Sequence, residues 1–296
     1  MELVWLEDFI ALAEHGSFVR AAEARHITQP AFSRRIRSLE QWMGVSLFVR
    51  TPQGTTLTEA GRHIQARAFE AIGRLYRLRA EAQEVAGRAE KTLQFAATHS
   101  LSFNFFPRWI RHVENGAPIE AIQLHSDSML GCEQLLVRGE VPFLLCHRHP
   151  EVPSPLTEEH FVSQKVGDDT LIALVASSLL NSNSPNQLPY LAYTEASGLG
   201  RIVAHRLYGS REVLALNAQF SSHLAAVLMS MALEGKGVAW LPKSLAEQEI
   251  SDGHLVRVLD SCWDIDVQIH LVRPIASLSE VAENFWARVS DQSAYV

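Results

Sequence analysis

The chain has 296 residues, 47% hydrophobic and 20% charged, which suits two or three globular units with ordinary cores. Its net charge of -7 argues against a protein that coats nucleic acid indiscriminately. No apolar run is long enough to span a membrane, and acids replace the bases of a secretory signal, so we expect a soluble, cytoplasmic protein. Three cysteines without close spacing predict buried, reduced thiols.

The charge is unevenly distributed along the chain. Residues 1–90 contain 12 Arg or Lys and 11 Asp or Glu, a net of +1, whereas residues 91–296 contain 14 and 22, a net of -8. Residues 20–67 alone hold eight arginines against three acids. Because arginine binds both phosphates and base edges, this segment is the candidate for nucleic-acid binding.

Three short helices are predicted at 3–14, 18–25 and 30–43, an order typical of helix-turn-helix. At 100° per residue, one face of the third helix is apolar, with Phe32, Ile36, Leu39 and Met43. A face roughly opposite carries Pro30, Ser33, Arg34 and Arg37. That face has the chemistry to bind in the DNA major groove, although a solvated helix face explains the pattern at least as well.

Residues 45–57 predict a short hairpin, or wing, whose Arg50 is placed to reach phosphate or the minor groove. Thr58 is then the predicted N-cap of the next helix. That helix carries an apolar seam with alternating spacings of four and three: Ile64, Ala68, Ala71, Leu75, Leu78, Ala82 and Val85. The seam predicts a dimerising helix, and the charged remaining faces fit a core helix of one domain less well.

The rest of the chain alternates between strand-like and helix-like runs. Predicted strands lie at 92–97, 119–124, 143–146, 170–175, 190–193, 213–220, 237–241, 255–259 and 267–272. Predicted helices lie at 101–114, 128–138, near 199–208, 222–234 and 279–290. This βαβ rhythm favours an α/β fold with a parallel sheet.

A long set of residues in the first part resembles the LysR-type transcriptional regulators. It comprises Leu6, Phe9, Gly16-Ser17-Phe18, Ala21-Ala22, Thr28 to Ser33, Ile36, Leu39-Glu40, Gly44, Leu47-Phe48, Arg50, Leu57-Thr58 and Ala60-Gly61. The resemblance implies a winged helix-turn-helix over 1–58, a linker and dimerisation helix over 59–90 and an effector-binding regulatory domain over 91–296. That domain is expected to resemble periplasmic binding proteins, with two α/β subdomains: subdomain I at about 92–164 and 266–296, and subdomain II at about 165–265.

The resemblance also implies how the protein works. It implies a homodimer or homotetramer that binds double-stranded promoter DNA through seven residues: Thr28, Gln29, Pro30, Ser33, Arg34, Arg37 and Arg50. RNA polymerase is a further candidate partner. Arg25 departs from the family pattern, which usually has leucine there, and we expect its stem to pack and its charged head to be exposed.

Ligands of open α/β sheets collect beyond the carboxyl ends of strands and at helix N-termini. The effector-binding residues predicted on this basis are Ser100, Leu101, Ser102, Ser128, His147, Thr194, Phe220, Ser221 and Trp240. Ser100 and Ser102 are suited to a carboxylate or another oxyanion, but helix capping explains each serine equally well. Cleft closure about crossovers near 164–165 and 266–267 is then expected to change how the dimers sit on DNA.

The signal stays open between two classes of effector. Local stretches such as QPAFSRRIRSLE at 29–40 and ATHSLSF at 97–103 are similar to the hypochlorite-responsive regulators of the family, which suggests oxidant stress. Of the five methionines, Met43, Met229 and Met231 are better explained as core residues, and a sensing pair of cysteines is disfavoured. The alternative effector is a small anionic metabolite bound in the cleft.

Other classes of protein are disfavoured by what the sequence lacks. It has no nucleotide-binding glycine loop and no nucleophile elbow, so no catalytic residue is predicted and the chain is interpreted as a non-enzyme. The spacing of its 13 histidines predicts no metal site, and no cofactor is expected. A cytoplasmic ligand-binding protein is the alternative of a different class, although it would not need the N-terminal helices.

Overall fold

The computed structural model of the chain describes residues 1–51, 54–85, 92–114, 118–119, 121–180, 188–207 and 218–293. The chain divides into two compact units. The N-terminal unit comprises Met1–Ala89 and Val137–Glu140, and the C-terminal unit comprises Glu90–Leu136 and Val141–Val296. Within the described residues, no helix combines the length and apolar composition that a membrane crossing requires.

The N-terminal unit contains three short helices, a hairpin and one long helix. In chain order these are α1 (Leu3–His15), α2 (Phe18–Ala24), α3 (Gln29–Met43), β1 (Phe48–Thr51), β2 (Gly54–Leu57) and α4 (Glu59–Val85). The predicted helices and hairpin are confirmed, while the predicted continuation of α4 over 86–90 lies outside the described residues. The predicted apolar face of α3 packs into a core with α1, α2 and the start of α4. Phe32, Ile36 and Leu39 are fully buried there.

Glycines end α1 and α3. Gly16 and Gly44 follow these helices with φ of 58° and 73°, a left-handed conformation that costs glycine little. The Gly16 carbonyl also accepts a hydrogen bond from the N–H of Thr55 at 2.9 Å. The turn after α1 therefore supports the second strand of the hairpin.

The hairpin is fixed to the helices on both sides. Glu40 Oε1 on α3 accepts hydrogen bonds from the N–H groups of Leu47 and Phe48 at 2.7 and 3.2 Å. Thr58 Oγ1 accepts from the N–H of Gly61 at 3.1 Å, which confirms the predicted N-cap of α4. The wing is thus held by bonds that involve both backbone and side chains.

The C-terminal unit is a mixed α/β structure. It begins with β3 (Leu93–Thr98), α5 (His99–Asn104), α6 (Phe106–Glu114), β4 (Ile122–Asp127), α7 (Met129–Val137), β5 (Phe143–Arg148), β6 (Phe161–Ala176) and α8 (Ser177–Leu180). It continues with β7 (Tyr190–Tyr193), α9 (Gly198–Leu207), β8 (Ala218–Ser222), α10 (Ala225–Leu233), β9 (Ala239–Pro242), α11 (Lys243–Ser251) and β10 (Leu255–Arg257). A 3-10 turn (Ser261–Trp263), β11 (Ile265–Pro274) and α12 (Glu280–Ser293) complete it.

Seven strands form one sheet in the order β10-β6-β11-β5-β3-β4, with β9 also paired to β6. Strand β3 is parallel to β4 and β5, as the βαβ rhythm predicts. Strand β11, however, is antiparallel to both β5 and β6, so the prediction of a parallel sheet is only partly correct. Strands β7 and β8 form a separate parallel pair.

The unit has two lobes with separate cores. Lobe I is formed by β3 to β5, α5 to α7, α12 and the adjoining ends of β6 and β11, and its core includes Phe95, Phe143 and Phe285. Lobe II is formed by α8 to α11, β7 to β10 and the other ends of β6 and β11, and its cores include Leu171 and Leu228. The predicted crossover positions, 164–165 and 266–267, both fall inside the paired strands β6 and β11.

Three sequence predictions differ from the structure. The predicted helix at 101–114 is two helices that meet at Phe105, and Pro107 explains the break because it lacks an N–H and clashes with the preceding turn. The predicted strand at 170–175 is the end of the 16-residue strand β6, whose polar first half hides the pattern. Helices α8 and α11 were not predicted, and predicted strand residues 213–217 lie outside the described residues.

Candidate functional site

The outward face of α3 is polar and cationic. Six predicted DNA-facing residues are solvent-exposed: Thr28, Gln29, Pro30, Arg34, Arg37 and Arg50. The guanidinium of Arg50 lies over the ring of Phe18, 5.6 Å from its centroid, which holds the wing arginine beside α2. A helix with exposed cations next to a cationic hairpin can bind a DNA groove and its flanking phosphates.

Ser33 is the exception among the predicted DNA-facing residues. Its side chain is buried, and its Oγ accepts a hydrogen bond from Nε2 of Gln29 at 2.9 Å. The predicted exposure is wrong because Ser33 lies about 60° around the helix from Ile36, at the border of the core face. In the structure its hydroxyl orients Gln29 instead.

The prediction for Arg25 is also wrong. Its head is not exposed: Nε donates to Asp8 at 2.9 Å and Nη2 donates to Glu7 at 2.5 Å. Burial alone lowers the pKa of Arg25, but the bonds to both carboxylates outweigh it and raise the pKa above its usual value. The arginine stands at a leucine position of the family because two buried acids compensate its charge.

The residues of the predicted seam on α4 differ in their exposure to solvent. Ile64 and Ala71 are half-buried against the core of the N-terminal unit. Leu75 and Leu78 are 44% and 62% exposed, one helical turn apart. The side chain of Val85 lies outside what the structure describes. The exposed apolar pair is the part of the seam available to another protein chain.

A small, partly open cleft lies between the two lobes of the C-terminal unit. Its described wall consists of Thr98, His99, Ser100, Asp127, Ser128, Met129, His147, Ser197, Gly198, Leu199, His223 and Ala225. Lobe I contributes the carboxyl ends of β3, β4 and β5, and lobe II contributes the N-terminal ends of α9 and α10. The structure therefore brings three predicted residues together here: Ser100, Ser128 and His147.

Two buried polar atoms in the wall have no hydrogen-bond partner among the described residues: Thr98 Oγ1 and His147 Nε2. Thr98 is the N-cap of α5, yet its side chain makes no capping bond. Nε2 of His147 lies 3.8 Å from Asp169 Oδ2, too far for a hydrogen bond. A buried polar atom without a hydrogen-bond partner lowers the stability of the folded protein. Two such atoms in one cleft therefore indicate that a polar group binds there.

The ends of three helices make the cleft favourable to anions. The N-termini of α7, α9 and α10 border it, and each carries a partial positive charge. The rings of His99 and His223, from opposite lobes, are 5.6 Å apart. Burial, followed by the proximity of His223, lowers the pKa of His99 despite the opposing influence of Asp127. An anion between the lobes would interact favourably with the partial positive charges of the helix N-termini.

Six predicted effector-binding residues are not among the described residues of the cleft wall. Leu101 and Trp240 are 1% exposed in the cores of lobes I and II, so their prediction as cleft residues is wrong. Ser102 donates a hydrogen bond to Ser126 Oγ at 2.9 Å. Thr194 bonds through its backbone to Ser222, and Phe220 packs on a core of lobe II. Ser221 is exposed on β8.

Sequence reasoning missed two contacts that join the lobes. Arg201 on α9 donates to both oxygens of Glu133 on α7, at 2.7 and 3.0 Å, and Glu133 is 2% exposed. An acid inside the apolar run MLGCEQLLV was the signal that a buried partner exists. Met129 packs against Gly198 so closely that a Cβ at that glycine would lie 3.1 Å from Met129 Cγ.

Two family matches cover nearly the whole chain. Residues 3–62 match the bacterial regulatory helix-turn-helix protein, lysR family, and residues 86–294 match the LysR substrate binding domain. The cationic helix and wing lie within the first match, and the two-lobed unit lies within the second. The residues between the two matches, 63–85, make up most of the long helix α4.

Individual relatives agree with these matches. The HTH-type transcriptional regulator YjiE of Escherichia coli K12 is 30% identical, over 98% of this chain and 95% of that protein. HypT from Salmonella typhimurium, described as a hypochlorite-specific LysR-type transcriptional regulator, is 27% identical over the full length of both chains, with a TM-score of 0.57. DarR from Vibrio fischeri, solved in complex with DNA, is 26% identical over 98% of both, with a TM-score of 0.55.

Two of the three cysteines are buried thiols. Burial raises the pKa of Cys132 and Cys146 to about 12, and both are 0% exposed. Cys262 is exposed. Because thiolate is the reactive form, the buried pair is poorly suited to sense an oxidant directly. Among the described residues, no three His, Cys, Asp or Glu side chains converge to hold a metal.

We therefore expect one of the three thiols to react rapidly with Ellman's reagent in the folded protein at pH 7, and all three in denaturant. A Cys262→Ser variant is the matched control and should lose the rapid reaction. Rapid reaction of two or three thiols in the native wild-type protein would contradict the burial of Cys132 and Cys146.

Proposed function

The chain belongs to the LysR family of transcriptional regulators, and on that premise we propose which residues bind DNA, which pair the subunits and what the cleft binds. Like other members, it has a DNA-binding helix-turn-helix and an effector-binding domain. Its relatives are regulators rather than enzymes, and we infer that this chain likewise catalyses no reaction and works in the cytoplasm. RNA polymerase is the proposed partner at the promoter.

For DNA binding we propose Thr28, Gln29, Pro30, Arg34, Arg37 and Arg50, with Ser33 orienting Gln29. The exposure of all six on one helix and one wing supports this set. Arginines on a recognition helix read guanine edges in the major groove or neutralise phosphates, and a wing arginine reaches the adjoining groove. The predicted target is double-stranded promoter DNA with two related half-sites.

Arg34→Ala and Arg37→Ala should each weaken binding to the protein's own upstream intergenic DNA by roughly tenfold or more. The reason is that each substitution removes one guanidinium group from the DNA-facing surface. Fluorescence anisotropy over a salt series measures both the affinity and its salt dependence, which should become shallower where a phosphate contact is lost. Arg108→Ala, which removes an exposed arginine of α6, is the control and should bind as wild type does. Equal affinity of all four proteins would refute the proposed interface.

For assembly we propose that two copies pair through α4, and that dimers associate further as a homotetramer. The exposed Leu75 and Leu78 support this pairing, since a monomer would leave both leucines in water. Arg74 and Arg79 flank them on exposed positions of the same helix. An apolar strip with charged margins is typical of paired helices.

Leu78→Asp should therefore lower the sedimenting mass, because a carboxylate would be buried without a partner between the helices. Sedimentation velocity at micromolar concentration measures the change. The control is Ile275→Asp, which places the same charge at another exposed apolar position, 54% exposed in the wild type. An unchanged sedimenting mass for Leu78→Asp would refute the proposed pairing through α4.

For the signal we propose a small anionic ligand bound between the lobes. This proposal depends mainly on two buried polar atoms that have no hydrogen-bond partner among the described residues, Thr98 Oγ1 and His147 Nε2. Both lie in one cleft that is bordered by three helix N-termini. Such a ligand would contact both lobes, so its binding would favour one arrangement of the lobes over another. Ser100 and Ser128 supply further hydroxyls to the same space.

A second candidate signal is hypochlorite, on the strength of one contact. Met129 is 6% exposed, lines the cleft and packs against Gly198 of the other lobe. A sulfoxide oxygen there would add bulk and polarity to a tight contact between lobes. The similarity to a hypochlorite-specific regulator supports this alternative. Restoration of DNA binding by methionine sulfoxide reductase after mild hypochlorite treatment would identify it.

Thr98→Val tests the cleft. Because the valine removes an unpaired hydroxyl without changing its shape, we expect the melting temperature of the empty protein to rise slightly. We expect acetate, succinate or phosphate to stabilise the wild-type protein, and this stabilisation should be lost in the variant. Thr170→Val is the control: its hydroxyl bonds to Asp266 at 3.2 Å outside the cleft, so the response to anions should remain. Equal responses of wild type and Thr98→Val would count against the anionic ligand.

A further inference from the structure

The head of the N-terminal unit, which comprises α1 to α3 and the β1–β2 hairpin, contains a buried pair of acids. Glu7 and Asp8, adjacent on α1, are 9% and 0% exposed. Each of their four carboxylate oxygens has one partner, and the partners come from three other segments of the N-terminal unit. A carboxylate pair in a DNA-binding surface would repel phosphate if it were exposed, so its burial indicates a different role.

Two arginines bind this pair. Arg25, just after α2, bridges both acids, with 2.5 Å to Glu7 Oε2 and 2.9 Å to Asp8 Oδ1. Arg35, on α3, reaches Asp8 Oδ2 at 3.4 Å. The side chain of Asp8 is fully buried, whereas that of Arg35 is 35% exposed. The first two helices and the recognition helix are therefore joined at one point.

Arg35 fixes the rotation of α3 about its axis. Its neighbours Arg34 and Arg37 are exposed, while Arg35 reaches inward to Asp8. Because adjacent residues are about 100° apart around a helix, an inward bond at one position determines where the flanking side chains point. The direction of the DNA-facing arginines thus depends on Asp8.

Tyr76 joins the long helix to the same pair. Its hydroxyl donates to Glu7 Oε1 at 2.5 Å across 69 residues of sequence. Burial, and then the bond to Glu7, raises the pKa of Tyr76, so the phenol keeps its proton at neutral pH. Tyr76 lies directly after Leu75 and two residues before Leu78, where α4 presents its exposed seam.

The position of Tyr76 matters because α4 is long. Its 27 residues span about 40 Å, so a 10° change in its angle to the head displaces its far end by roughly 7 Å. That displacement corresponds to about two base pairs along a duplex. In a protein paired through this helix, the angle determines how far apart the two heads lie.

We infer that Glu7, Asp8, Arg25, Arg35 and Tyr76 are positioning residues for DNA binding, and that the Tyr76–Glu7 bond sets the separation of half-sites that a dimer accepts. The inference rests on the proposed pairing through α4. The bond from Tyr76 fixes the angle of the helix, and the bonds from the arginines fix the recognition helix.

The test compares DNA sites that differ only in spacing. A site is selected from random duplex DNA with the full-length wild-type protein, then remade with its half-sites one or two base pairs closer or farther apart. Anisotropy gives the Kd of wild type, Tyr76→Phe and Tyr193→Phe for each site. Tyr193→Phe is the matched control, since its hydroxyl also donates one hydrogen bond, to the Trp240 carbonyl at 2.9 Å, but lies in lobe II.

We expect wild type and Tyr193→Phe to favour the selected spacing over a shift of two base pairs by about tenfold. Tyr76→Phe should lose most of this preference, while its Kd for an isolated half-site stays within about twofold of wild type. The DNA-facing side chains are unchanged in that variant, so the salt dependence should also be unchanged.

Two outcomes would overturn the inference alone. One is a wild-type spacing profile for Tyr76→Phe; the other is an equal loss of affinity at every spacing, which would mark a merely structural role. A wild-type protein that sediments as a monomer, or that shows no spacing preference, would instead refute the proposed pairing through α4, and the inference with it. Sedimentation of each variant therefore accompanies the binding series.

A double-mutant cycle tests whether Tyr76 acts through Glu7. In a Glu7→Gln background, Tyr76→Phe should change the spacing preference by less than about twofold, because the bond is already altered. A full additional loss in that background would show that Tyr76 acts through other groups, and would overturn the proposed role of the bond.

Discussion

Both lobes of the C-terminal unit depend on the antiparallel pairing of β6 with β11, which runs from Ile265↔Leu171 to Pro274↔Phe161. On β11, Val267 belongs to the core of lobe II and Ile269 to the core of lobe I. Strand β11 therefore contributes side chains to the cores of both lobes. The register of its pairing with β6 shifts directly after Ile269. The cleft lies where it does because the lobes are joined by hydrogen-bonded strands rather than by loops.

Buried carboxylates that are bonded to arginines occur in both units. Asp8 and Glu133 are buried carboxylates that bond to arginines, and both pairs join elements that are distant in sequence. In the head, Asp8 is held by Arg25 and by the recognition helix. In the C-terminal unit, Glu133 and Arg201 hold the lobes together through two bonds. Charged residues, which are usually found on protein surfaces, here join separate structural elements in the interior.

The sequence predicts elements better than it predicts which way side chains point. The periodicity of α3 identifies its core face because a helix repeats regularly, and the exposed arginines follow from the same geometry. The buried Ser33 and the paired head of Arg25 depend on neighbouring helices, which local periodicity does not contain. Likewise, the rule that ligands collect at strand ends selects His147, which lines the cleft, but it also includes Leu101 because it ignores the inward turn of α5.

The strand order has a consequence for synthesis of the chain. Strand β11 lies between β6 and β5, yet it ends only at Pro274, more than a hundred residues after β5. While the chain leaves the ribosome, β5 and β6 lack this shared neighbour and expose the edges that β11 will cover. Lobe II is translated in full during that interval. The pairing of β11 with β5 and β6 can therefore form only after most of the chain has been synthesised.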